Sequence, residues 1–386
     1  MPRALIPILS ITFVDVLGFS ILIPILPFYA QRFGASPLIY GFIFTVVALA
    51  ALLASPVWGR LSDRVGRKKI LIYSQLGGVL GYVILGMAAG LPMIFLGRAI
   101  EGIGGGNIGV TQSYISDVTE PHQRARAFAL MGATWGVGFL FGPVLGGTLV
   151  TYGYPVPFFT AAALQCVTIL LTVFLLPESH KPLEIQASLR DVADSFKDAR
   201  LRTPLLQQLF FALAFFQWVS MLSFFLQRIL NYGPRQTSYL FAVSAVISVV
   251  VQVALIGRAV DRFGERRVCI AGLGLALAAY VLLGAANSLA VFLMVLVILS
   301  LGSALIRPTL TALTSHAAPA NKRGALFGIS DSLNSFALLV GPPLAGLVFA
   351  KNVHWIGILP AICTCVAIAI ALGSRNALRA ANAEAA

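Results

Sequence analysis

Asp15, Arg98 and Glu101 stand inside long apolar runs, and residue types that ionise in such surroundings mark where chemistry is to be sought. A charge near the middle of a bilayer costs about 2.5–3.5 kcal/mol even on lenient insertion scales, so such groups face a partner or an aqueous cavity. At about 1.5 Å per residue from Ala4, Asp15 falls close to mid-depth of the first run. Glu101 reaches a similar depth in the fourth run, with Arg98 one turn away. An arginine beside two carboxyls can compensate one and leave the other able to bind a proton when desolvated and release it when hydrated. Asp15 is therefore expected to carry a proton, Arg98 to tune it, and Glu101 to share it or to hold a cationic group. The alternative is a permanently closed Arg98–Glu101 pair that only joins helices. The spacing also puts Arg98, Glu101, Gly105 and Gln112 on one helical face, with Asn107 and Tyr114 turned away.

The elements that position these residues follow from composition. The chain has 386 residues, 58% hydrophobic and 11% charged, whereas soluble domains carry roughly a quarter charged residues. Runs of about 20 apolar residues match the length a helix needs to cross a hydrocarbon core. The chain reads as twelve such spans, roughly 4–30, 37–58, 69–89, 91–115, 125–150, 156–176, 204–230, 236–257, 268–286, 288–313, 324–350 and 355–373. They lack the alternation of outer-membrane strands, so an all-α membrane protein is expected. The first run is too long for a cleaved signal peptide, contains Asp15 and prolines, and has no small-residue cleavage site.

The formal net charge of +13 is a matter of topology. Arg60, Arg64, Arg67, Lys68, Lys69, Arg124, Arg126, Arg258, Arg262, Arg266, Arg267, Lys322, Arg323, Arg375 and Arg379 all fall in alternate loops or the C-terminal tail. The opposite loops hold little beyond Arg32, Arg235 and Lys351. The positive-inside rule then puts both termini and the 177–203 connection in the cytoplasm, and no nucleic-acid partner is implied. Cys166, Cys269, Cys363 and Cys365 lie in or at apolar helices, so no disulfide and no metal site is expected. His122, His180, His316 and His354 all lie at loops or span ends, which leaves no mid-membrane Ser/His constellation and argues against an enzyme.

The chain is doubled. Gly59 to Lys69 returns as Gly257 to Arg267, and Arg124 to Val150, with Gly142-Pro143 and Gly146-Gly147, maps onto Arg323 to Phe349. Two parallel six-helix halves result, 1–176 and 204–386, joined by the charged linker 177–203. Within the linker, 191–197 can be read as a short amphipathic helix on the membrane surface or as a solvated tether.

These motifs resemble the major facilitator superfamily. The pattern G-x-x-x-D-R-x-G-[RE]-[RK]-[RK] occurs after spans two and eight. Asp15, Gly18, Pro24 and Pro27 in span one, Arg98 and Gly102 in span four, and Gly132, Gly136, Gly142, Pro143, Gly146 and Gly147 in span five resemble the twelve-span drug:proton antiporters. The resemblance covers nearly the whole chain and implies that superfamily's fold, two pseudo-symmetric six-helix bundles. It implies a cytoplasmic gate built on Gly59, Asp63, Arg64, Gly66, Arg67, Asp261 and Arg262, closing on the start of span eleven around Arg323 to Phe327. It also implies a role for Arg98 in proton coupling, and an antiporter motif in span five. The chain looks most like the tetracycline exporters, but where those carry an acid beside a tyrosine in span three it has Gly81-Tyr82.

Each motif has a physical reading as well. Gly59 and Gly66 permit a tight turn, and Asp63 can accept from a helix N-terminus or pair with an arginine; the alternative is that the basic loop only anchors to acidic headgroups. The span-five glycines form small-x-x-x-small faces for close helix approach, and Pro143 bends the helix. Val297 and Ser300 stand at the positions matching Arg98 and Glu101, so the halves differ in their chemistry. An Arg307–Asp331 pair is expected to close the cytoplasmic vestibule, with Asp331 touching substrate as the alternative. Gln217, Met221, Phe224 and Arg228 share a face of span seven, which with Gln112 and Asn334 forms the expected substrate surface, suited to amphipathic ligands.

The expectation is a proton-coupled exporter of small amphipathic compounds or drugs, working by alternating access as a monomer in a bacterial inner membrane. The proton is its coupling ion, and no other cofactor or metal is implied. An exporter of an endogenous sugar, lysolipid or other metabolite would ignore ethidium and norfloxacin. A non-transporting receptor should lack buried ionisable residues and keep an ordered soluble domain.

Overall fold

Lipid offers the backbone no hydrogen-bond partner, so each spanning segment must satisfy its own amide groups, and an apolar run does so by coiling into a helix. The computed structural model describes residues 5–120, 123–179, 199–317 and 323–384, and among them it contains no strand. The helices are α1 (Leu5–Leu22), α2 (Leu26–Gln31), α3 (Pro37–Val65), α4 (Arg67–Gly86), α5 (Leu91–Gly105), α6 (Ile108–Val118), α7 (Arg124–Leu149) and α8 (Pro155–Leu175). After the linker come α9 (Ala199–Leu230), α10 (Pro234–Ala254), α11 (Ile256–Phe263), α12 (Glu265–Leu283), α13 (Leu289–Ala317), α14 (Arg323–Lys351) and α15 (Ile358–Glu384). The linker segment 191–197 and the side chains of 323–327 lie outside the described residues.

Eleven helices among the described residues are long and apolar enough to cross a membrane. The fourth expected span is not among them. It breaks into α5 and α6 at Gly105-Gly106-Asn107, where successive glycines weaken the helix and Asn107 donates from Nδ2 to Ser74 Oγ at 2.8 Å. Gln112 consequently sits on a separate helix and does not share an unbroken face with Arg98 and Glu101. The first span is interrupted as well, between Leu22 and Leu26 beside Pro24.

The chain clusters into two compact units, 1–184 with 231–245, and 185–230 with 246–386. Inside the first unit α1 packs on α7 and α8, and α4 on α5 and α8. Inside the second, α9 packs on α14 and α15, and α12 on α13 and α15. These four pairings correspond one to one, so the sequence repeat is a repeat of packing.

Close approach of α1 and α7 rests on glycine. A Cβ on Gly142 would collide with Ser20 Oγ, one on Gly146 would lie 2.5 Å from the Ile21 carbonyl oxygen, and one on Gly138 would lie 2.7 Å from Val16 Cγ1. Ser20 Oγ donates to the Gly138 carbonyl at 3.0 Å across the same seam. Gly147 faces Ser238, whose Cβ would be 2.6 Å from an added methyl. Gly132 and Gly136, expected to belong to such a seam, have nothing within 4 Å of an added Cβ. The contact face therefore runs through Gly138, Gly142 and Gly146, and helix α7 continues through Pro143. Gly142→Val should cost about 1–3 kcal/mol by overpacking and lower the thermal unfolding midpoint of the detergent-purified protein, whereas Gly132→Val should leave that midpoint unchanged.

Candidate functional site

Helix α5 is squeezed between α3 and α4 by residues without side chains. A Cβ on Gly102 would lie 2.5 Å from the Val47 carbonyl oxygen of α3, and one on Gly81 of α4 would lie 2.8 Å from the Glu101 nitrogen and 2.9 Å from its Cβ. This tight seam buries Arg98 and Glu101, which are 2% and 6% exposed. Arg98 Nη1 donates to Glu101 Oε2 at 2.5 Å, an i, i+3 pair on one face of the helix. Tyr82 of α4 adds a hydrogen bond to Glu101, and Tyr40 of α3 is an electrostatic neighbour of Arg98. Tyr82 is also a neighbour of Asp15, so the three ionisable residues expected to meet are gathered around one buried phenol.

Their partners divide differently from the expectation. Arg98 binds Glu101, and the Asp15 carboxylate is held by a neutral group: Gln165 Nε2 of α8 donates to Asp15 Oδ1 at 2.9 Å, with Thr168 alongside. Asp15 is half-buried and has no ion pair among the described residues. Sequence reasoning missed Gln165, Thr168, Tyr82 and Tyr40. The available signal was Gln165, Thr168 and Thr172, three polar residues spaced along one face of an otherwise apolar helix, all buried.

At the end of α3 the repeated loop proves to be nearly continuous helix, broken only at Gly66, whose φ of +110° favours glycine. Arg67 is 1% exposed. It pairs with Asp63 at 2.7 Å and with Asp117 of α6 at 3.3 Å, and its Nη1 donates to Ser62 Oγ at 2.5 Å. Asp117 also accepts from Ser179 Oγ at 3.1 Å, and Glu178 Oε1 accepts from the Lys68 amide at 3.1 Å, at the start of α4. The opening of the linker is thereby stitched to the motif, a contact sequence reasoning did not foresee.

The second copy is built otherwise. Gly264, with φ +79°, breaks the helix at the matching place, but the next residue is Glu265 where the first copy has Arg67. Asp261 is exposed and has no ion pair among the described residues, and Arg262 lies over the Phe263 ring at 5.5 Å. Glu265 instead meets His316 of α13 at 3.2 Å. The carboxylate of that pair stands where the first copy has its arginine, so the two copies are tied differently.

In the second unit, the face of α9 expected to bind substrate points into its own bundle. Gln217, Met221 and Phe224 are all buried. Gln217 Nε2 lies 4.0 Å from Cys363 Sγ of α15, a Cβ on Gly341 of α14 would lie 3.5 Å from Gln217 Cγ, and Phe224 and Arg228 both contact the Phe349 ring of α14, at 6.3 and 5.1 Å. These residues do share one face of α9, and packing against α14 and α15 covers it except for the Gln217 amide oxygen, which has no hydrogen-bond partner among the described residues. Arg307 forms no ion pair among the described residues, so the expected Arg307–Asp331 bridge is replaced by a guanidinium stacked 4.5 Å from the Phe215 ring. Asp331 is exposed and Asn334 half-buried on α14.

The profile of the Major Facilitator Superfamily matches residues 8–255 and 209–385. The chain is 32% identical over 368 residues to the class C tetracycline resistance protein of Escherichia coli, covering 92% of each chain. The chain belongs to the Major Facilitator Superfamily. It is also 29% identical to multidrug resistance protein 2 of Bacillus subtilis (strain 168), over 90% of this chain and 89% of the other. Among solved structures it is similar in fold to a bacterial homologue of the human lysosomal transporter Spinster in its inward-facing, unoccupied conformation, with TM-score 0.77, 17% identity and 97% of each chain covered. This superfamily member is thus an integral membrane transporter and not an enzyme.

Because Arg67 is buried among two carboxylates, its removal leaves them without a counter-charge. Arg67→Ala in this superfamily member should cost about 3–5 kcal/mol, read as a loss of folded protein in detergent. Glu265→Ala, which breaks the partly exposed pair with His316, should cost less than about 1 kcal/mol.

Proposed function

We propose that the protein is a proton-coupled exporter of small amphipathic compounds, working by alternating access with Asp15 as the proton carrier. The observation that carries this reading is the separation of roles around Tyr82. Arg98 is committed to Glu101 at 2.5 Å, while Asp15 lies inside a span against a neutral amide. A carboxyl held by an uncharged donor can be accommodated in either protonation state, whereas one locked to a buried guanidinium is held ionised. Glu101 then serves to neutralise Arg98.

The names of the relatives, tetracycline and multidrug resistance proteins, support drug export as the class of transport. The two halves are the moving bodies, with their boundary in the linker 177–203. Asp331 and Asn334 on α14, Gln112 on α6 and the amide oxygen of Gln217 on α9 are the candidates for substrate contact. The distribution of arginine and lysine supports both termini in the cytoplasm, and the bacterial origin of the relatives supports an inner membrane. The transporter acts as a monomer and needs no cofactor beyond the proton.

The test is substrate-induced proton movement in proteoliposomes loaded with a pH-sensitive dye, over a panel of ethidium, norfloxacin and tetracycline. Wild type should release protons with at least one compound and Asp15→Asn should release none. Undiminished release by Asp15→Asn would remove Asp15 from the carrier role, and silence of wild type toward the whole panel would favour a narrow metabolite exporter.

A further inference from the structure

The second unit buries polar atoms for which its own fold supplies no partner. Gln217 is 2% exposed and Tyr280 1%, yet Gln217 Oε1 and Tyr280 Oη have no hydrogen-bond partner among the described residues. Native interiors seldom leave such an atom unsatisfied without a use. The two residues are linked through Cys363, which contacts the Gln217 amide and is an electrostatic neighbour of Tyr280.

Arg307 is the other charged neighbour of Tyr280. It stands inside the apolar helix α13, roughly 15 Å from the Ala317 end at about 1.5 Å per residue. A guanidinium at that depth is tolerated when it faces protein or water. Its side chain is left partly uncovered by the surrounding helices, one face rests on Phe215, and no carboxylate lies within ion-pair distance among the described residues. The contrast with Arg98 and Arg67, each paired with an acid of its own bundle, is sharp. Three helices therefore bring together an open cation, an unused phenolic hydroxyl and an unused amide oxygen.

We propose that Arg307, Tyr280 and Gln217 form a subsite for the acidic group of an amphipathic organic acid. The guanidinium binds the carboxylate through its planar fork, and Tyr280 Oη donates to the same group. Gln217 Oε1 accepts from a hydroxyl or amine carried next to the acid. Phe215 and Phe216, whose rings meet edge to face at 5.6 Å, border the place where the apolar body of the ligand lies. The inference rests on the transport reading and narrows it: the compounds handled include aromatic acids with a neighbouring hydrogen-bond donor, and permanently cationic dyes do not use this subsite.

Binding is measured by isothermal titration calorimetry on the full chain in nanodiscs. The probes are salicylate and anthranilate, each against its uncharged amide, salicylamide and anthranilamide. In wild type at least one acid should bind about tenfold or more tighter than its counterpart. Arg307→Gln should abolish that preference, Arg307→Lys should keep part of it, and Tyr280→Phe should weaken the acid about three- to tenfold. Equal binding of acid and counterpart by wild type, an unchanged preference in Arg307→Gln, or no binding of either acid at about 1 mM would overturn the proposal. The vesicle assay separates the two readings. Proton release on ethidium with no effect of Arg307→Gln on acid binding removes the subsite alone, and an Arg307-dependent acid preference in a protein that moves no protons removes the exporter reading alone.

Discussion

The contact between Arg98 and Glu101 sets the terms for the rest of the first unit. Hydrocarbon cannot solvate a charge, so a guanidinium at mid-span needs a carboxylate, a protein partner or water beside it, and for Arg98 the helix supplies a carboxylate a turn away. Room for that pair exists because Gly81 and Gly102 let α4 and α3 close on α5 without side chains in the way. Once Arg98 is neutralised locally, no cation is left for Asp15, which turns to Gln165 and Thr168 on α8. The glycine seam through Gly138, Gly142 and Gly146 then fixes where α1, and with it Asp15, sits against α7. Packing and proton chemistry are in this sense one arrangement.

The doubled architecture shows how a repeat keeps its frame while its chemistry diverges. The same four helix pairings recur in both units. The ionic ties do not: Arg67 holds Asp63 and Asp117 in the first, while in the second Glu265 takes the arginine's place and His316 the aspartate's. With its arginine gone, Asp261 loses the partner that Asp63 has one turn along. Interior charge diverges as well, since Val297 and Ser300 replace Arg98 and Glu101, and the second unit holds Arg307 inside α13 without an ion pair among the described residues. One bundle thus pairs its mid-span guanidinium with an acid of the same helix, and the other leaves the guanidinium of Arg307 without one among the described residues.

Much of this was legible in the chain because lipid makes charge conspicuous. Asp15, Arg98 and Glu101 stand out against apolar runs, and the i, i+3 spacing of the last two already names them as a pair. Gln165 did not stand out, because an amide far along the chain reads as ordinary polar content until the fold sets it against Asp15. Glycines were legible as a packing signal but not as a direction: span five offers several interleaved small-residue faces, and only the position of α1 selects Gly138 over Gly132 and Gly136. The periodicity of Gln217, Phe224 and Arg228 likewise defines a face without saying that α14 and α15 cover it. The break between α5 and α6 was overlooked for a simpler reason. Composition kept the run apolar while consecutive glycines removed its helical propensity.

The account depends on Asp15, and not Glu101, being the group that gains and loses the proton. Infrared difference spectra of the purified transporter, cycled between acidic and alkaline pH, read this directly through the carboxylic-acid C=O band. The account predicts that a band appearing on acidification is lost in Asp15→Asn and retained in Glu101→Gln. A band that survives Asp15→Asn and disappears with Glu101→Gln would contradict it.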